Sequence, residues 1–171
     1  MDIEKKRRRI ARIAAVNGWS VAVLGALCLL CSLLWFNAAG ILIGLAAMAS
    51  GCMELSGRRR LKQNRQEARR RLAGSQLLLL AAVVLYSAYH LLLVQPKEIL
   101  MDFPPDVRMQ LSQVMDPKDL QALIAKAIRI LYLSLIAATV LYQGGLCLYY
   151  TLATRKLDRA AAGLQGEMVK R

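Results

Sequence analysis

Glu54 is the only acid inside the long uncharged stretches of this chain. A carboxylate that must sit in hydrocarbon is costly, so it calls for a proton, a cation or a pairing partner. Arg58 lies four residues on, a neighbour on the same helical face, and the spacing predicts an ion pair between them. Asn17 in the first apolar run and Gln76 in the third fall at a similar depth, and Gln143 sits near the middle of the fourth. An amide in lipid gains by hydrogen-bonding another helix, and leaving it unpaired costs more. Asn17, Glu54, Gln76 and Gln143 therefore form the candidate polar cluster, either as interhelical glue or as the lining of a path.

Other reactive residue types are sparse. Cys28 and Cys31 share one helix face, a spacing that resembles the CxxC pairs of quinone-coupled thiol oxidoreductases. Those enzymes exchange with a second, exposed cysteine pair. Here Cys52 and Cys147 also lie within apolar runs, so all four thiols read as small apolar residues. His90, the lone histidine, sits with Tyr86 and Tyr89 and is expected to pack near an interface. No Gly-rich phosphate loop, Ser-His-Asp set or paired carboxylates can be found, so no enzyme, cofactor or metal is expected.

The elements that position these residues are apolar runs separated by dense charge. The chain has 171 residues, 57% hydrophobic, with a formal charge of +13. In a soluble protein that charge would suggest nucleic acid. Here it is segregated from the apolar runs, and no folded soluble domain presents it, so nucleic-acid binding is not expected. Apolar runs cover about 14–36, 38–56, 74–94 and 117–154, the last including an extension outside the bilayer. Runs of this length must be helical in lipid, where backbone groups have no water to bond. The first run is longer than the apolar part of a secretory signal and lacks a good cleavage site near Asn37, so it is expected to be retained.

Basic residues cluster before the first run, in a segment at 57–73 and in a tail at 155–171. The hairpin around Asn37 has no charge, and the segment from 95 to the fourth run is balanced. With four spans all three basic segments fall on one side, which predicts both termini in the cytoplasm of a multi-pass cell-membrane protein. The expected fold is all-α, an integral membrane four-helix bundle with a short amphipathic external segment at 95–116. Pro104-Pro105 ends one element there, Asp106 is placed to cap the next, and Val107, Leu111, Val114 and Met115 share its apolar face. Asn64 and Glu67 fit a capping-box variant for the third helix, while Asp116-Pro117 marks the start of the fourth.

Gly40, Gly44, Ala47 and Gly51 make a small-residue stripe along the second helix, where two backbones can approach closely. Gly18, Ala22, Gly25 and Ala26 give the first helix a matching face. The hairpin can thus pack on itself, or the stripe can join protomers. Arg58, Arg59, Arg60, Arg69, Arg70 and Arg71 are dense enough to hold anionic lipid headgroups. A tight outer hairpin followed by a longer outer loop resembles the layout of tetraspanins. Their Cys-Cys-Gly signature is absent, so the resemblance stops at layout. The leading expectation is a membrane protein that works by assembly, with itself or a larger membrane complex. The alternative is an oligomeric channel or small transporter using the polar cluster.

Overall fold

The computed structural model describes residues 2–63, 67–95, 97, 101 and 103–169, with the side chains of 2, 3, 62, 112 and 160–169 left out. Among the described residues the chain is all-helical: α1 (Asp2–Leu34), α2 (Ala38–Lys62), α3 (Glu67–Leu92), α4 (Pro105–Val114) and α5 (Pro117–Val169). Four stretches are long and apolar enough to cross a membrane: Glu4–Leu34, Ala38–Leu61, Glu67–Leu92 and Pro117–Arg159. The shortest has 24 residues, about 36 Å of helix against a hydrocarbon core of about 30 Å.

These helices outrun the apolar stretches that define them. α1 already includes the basic N-terminal segment, and α2 and α3 carry Arg58 to Arg60 and Arg69 to Arg71. The expected basic loop at 57–73 is therefore mostly helix, since Arg and Lys are good helix formers and need no turn. The Asn64 cap falls outside the described residues. α5 starts at Pro117, where the proline lacks only an N–H that a first helical turn leaves unpaired anyway. It continues to Val169, through most of the expected tail.

The α1–α2 connection is as tight as the sequence demands. Asn37 N–H bonds Ser32 O at 2.9 Å and Phe36 N–H bonds Leu33 O at 3.3 Å, the paired bonds of a Schellman ending. Phe36 takes the left-handed conformation (φ 50°) where glycine is usual. Asn37 then caps the next helix, its Oδ1 accepting from Gly40 N–H at 2.9 Å.

The small-residue faces meet in this hairpin. A Cβ on Gly44 would lie 2.8 Å from Leu29 N, and one on Gly51 would lie 2.7 Å from Ala22 N and Gly18 O. One on Gly25 would come within 2.6 Å of Met48 N and 3.0 Å of Ala47, while Gly40 packs on Ser32. Every member of the stripe thus faces α1, which is the self-packing alternative.

The chain divides into two compact units, Met1–Ala82 with Thr139–Arg171, and Val83–Ala138. In the first, Ile10, Ala11 and Ala14 of α1, Leu61 of α2, Ala68 and Leu72 of α3, and Tyr150 and Leu157 of α5 form one buried cluster. In the second, the His90 ring stacks on Tyr132 with centroids 4.9 Å apart, and Tyr86 packs edge-on to Tyr132. This unit also contains α4. Pro104 occupies its N-cap position and Asp106 its first turn, so Asp106 is not the cap: Pro105 suits the first helical position and moves the start one residue earlier. Val107, Val114 and Met115 are exposed and Leu111 is half-buried, so the apolar face of α4 is largely open.

Candidate functional site

The buried polar residues of the first unit converge on Glu54, which is fully buried. Asn17 Nδ2 donates to Glu54 Oε2 at 2.7 Å, and the Tyr150 hydroxyl donates to Glu54 Oε1. Gln76, also buried, lies against the same carboxylate and donates from Nε2 to Ser75 Oγ at 3.3 Å. A second tyrosine of α5 extends the network, the Tyr142 hydroxyl donating to Asn17 Oδ1 at 3.0 Å. Ser50 Oγ donates to Ser75 O at 2.7 Å, tying α2 to α3 just beside the carboxylate. One acid on α2 is thus held by side chains from α1, α3 and α5.

Helical spacing explains the set. Tyr142 and Tyr150 are eight residues apart on α5, about two turns, so both reach the same side of the neighbouring helices. Thr154, one turn beyond Tyr150, donates back to Tyr150 O at 2.6 Å and holds the local backbone. Ser50 is one turn before Glu54 on α2, which places the two on one face.

Three of the four expected cluster residues, Asn17, Glu54 and Gln76, are brought together. Gln143 is not: it is 6% exposed, two turns from Tyr150 along α5, and its Oε1 has no hydrogen-bond partner. Seven residues of helix rise roughly 10 Å, beyond the reach of its amide to Glu54.

The expected Glu54–Arg58 ion pair is also replaced. The carboxylate takes its bonds from Asn17 and Tyr150, and Arg58 instead lines a cleft beside α1, its Nε buried without a partner. Neutral donors from facing helices meet the acid at full burial, whereas an i+4 pair needs both charged side chains to bend along one helix surface.

The other basic residues divide by position. Arg60 of α2 pairs with Glu67 of α3, and Arg71 Nη1 donates to Ser56 Oγ at 3.1 Å. Arg59 and Arg70 are exposed and Arg69 is half-buried. Cys28 and Cys31 are free and exposed, with Cys28 Sγ 3.9 Å from Gly40 O.

Sequence reasoning missed Tyr142, Tyr150, Ser50 and Ser75. The available signal was the eight-residue tyrosine spacing in α5, which resembles an ordinary scatter of aromatic residues until α2 is placed beside it.

Residues 16–87 match the family described as a short repeat of unknown function (DUF308). The matched stretch covers most of α1, all of α2 and most of α3, and so includes Asn17, Glu54 and Gln76 but not Tyr142 or Tyr150. No curated protein matches the chain. No solved structure matches it either.

Proposed function

We propose that this chain is a non-enzymatic multi-pass protein of the cell membrane, a four-helix bundle with both termini cytoplasmic, that works by assembly. Its partner is a second copy of itself or a larger membrane complex for which it serves as subunit or scaffold. The observation that carries this reading is an open notch on α5. A Cβ on Gly144 or Gly145 would meet nothing within 4 Å, unlike Gly40, Gly44 and Gly51 of α2, where α1 already fills the space. Leu141, Leu148 and Leu152, exposed at i−4, i+3 and i+7 from Gly145, flank the notch. Lipid gains little from a glycine, whereas another helix can approach its backbone closely.

The test is native mass spectrometry of the protein released from lipid nanodiscs. A defined homo-oligomer that Gly145→Leu returns to monomer supports the reading, because the added side chain enters open space and should not disturb the fold. A monomer at every concentration excludes self-assembly and leaves only the subunit form, to be sought by crosslinking from position 145.

A second reading, an oligomeric channel or small transporter, is favoured by one observation. Gln76 Oε1 is buried and without a hydrogen-bond partner in the residue that lies against the Glu54 carboxylate. Oxygen acceptors gathered at one depth suit a proton or a cation. Ion flux in liposomes that is unchanged by Glu54→Gln would remove this support.

A further inference from the structure

Beside the N-terminal turns of α1 lies a cleft of about 520 Å³. Its walls carry four arginines, Arg7, Arg8 and Arg12 from α1 and Arg58 from α2, against one carboxylate, Glu4. Glu4 is already engaged, accepting from Arg8 Nη2 at 2.6 Å. Along α1 the lining changes character: Ala15 and Val16 follow Arg8 and Arg12 on the same face, one and two turns on. The cleft is therefore basic at one end and apolar at the other.

Arg58 distinguishes this place from a solvated charge run. Its Nε is buried and has no hydrogen-bond partner, although Glu54 lies one turn away on the same helix. A guanidinium presents several donors in a fixed fork that matches phosphate oxygens. Other arginines of the chain are committed within the protein, Arg60 to Glu67 and Arg71 to Ser56.

We infer that this cleft binds the phosphate of an anionic phospholipid headgroup, with Arg12 and Arg58 as its principal ligands. Phosphate is the chemistry the arginines select, and a soluble phosphate would satisfy them equally. The apolar end at Ala15 and Val16 favours the lipid, since it lies where the first methylenes of an acyl chain would continue from the headgroup. The volume fits a headgroup and leaves the acyl chains in the bilayer. This site goes beyond the assembly reading and does not depend on it.

The test uses the full chain in nanodiscs of equal phosphatidylglycerol and phosphatidylcholine, with retained lipid counted by native mass spectrometry. Wild-type protein is expected to keep phosphatidylglycerol selectively. Arg12→Gln and Arg58→Gln should each lower that retention by about tenfold. Arg12 is exposed, so its variant stays informative if the Arg58 variant folds poorly. The control is the pair Arg155→Gln with Lys156→Gln, which removes two exposed charges outside both the cleft and the arginine-dense ends of α2 and α3. Retention within about twofold of wild type in the control supports a built site. A loss as large as that of the cleft variants would overturn it in favour of diffuse attraction. Millimolar inorganic phosphate that binds the protein in phosphatidylcholine discs and displaces the anionic lipid would overturn the lipid assignment.

Discussion

The Tyr150 hydroxyl donates to Glu54 Oε1 across 96 residues of sequence, joining α5 to α2. Both residues are fully buried, so water cannot replace either partner when the other is removed. The carboxylate also receives Asn17 Nδ2, which makes it the point where three helices share one anchor.

Tyr150→Phe removes this donor with little change of shape. Leaving a buried acceptor without its donor costs about 1–3 kcal/mol, and the expected loss of stability lies in that range. Denaturant unfolding in detergent micelles measures it. A change below about 0.5 kcal/mol would mean that the hydroxyl holds α5 only weakly.

Tyr142→Phe should cost less, about 1 kcal/mol, because Asn17 keeps its bond to Glu54 when the Tyr142 hydroxyl is lost. In a double-mutant cycle, Tyr150→Phe combined with Glu54→Gln should cost less than the sum of the two single changes. Strict additivity in the same unfolding assay would show that the two groups do not act as a pair.

Glycines of the two kinds should respond oppositely to one methyl. Gly51→Ala places a Cβ 2.7 Å from backbone atoms of α1, which cannot step aside, and should destabilise by about 1–3 kcal/mol. In the monomer, Gly144→Ala meets open space and should be neutral or stabilising by up to about 1 kcal/mol through helix propensity. Parallel unfolding curves decide between this contrast and a uniform effect.

The turn between α1 and α2 offers a third comparison. Phe36 holds a left-handed backbone that costs a non-glycine residue about 1–2 kcal/mol, so Phe36→Gly should relieve most of that strain. Asn37→Ala removes the cap on Gly40 and should cost about 1 kcal/mol. If both variants unfold at the same denaturant concentration as wild type, the turn does not limit stability.

Much of this arrangement was legible in the sequence, and the reason is local periodicity. The four apolar stretches, the turn at Asn37 and the start of α5 at Pro117 each follow from residues within a few positions of one another. The facing of Gly44 and Gly51 onto α1 was one of two stated alternatives, and a three-residue connection leaves the hairpin little other choice. What local pattern does not encode is the rotation of one helix against a distant one. Arg58 was placed on Glu54 because both lie on one helix, whereas Asn17 and Tyr150 won through contacts that depend on how α1 and α5 are turned. Gln143 fails for the same reason. Its depth was readable, but its phase and height relative to Glu54 were not.

The hairpin carries a consequence for the order of events during synthesis. Asn17 and Glu54 are 37 residues apart, and both are present once α1 and α2 have emerged. Tyr150 follows 96 residues after Glu54, a delay of about 5–20 s at ordinary rates of translation. Through that interval the acid has only Asn17 and, later, Gln76 and its surroundings to shield it from lipid. The first pair of helices therefore serves the newborn chain as its own chaperone, sheltering a carboxylate until its last ligand leaves the ribosome.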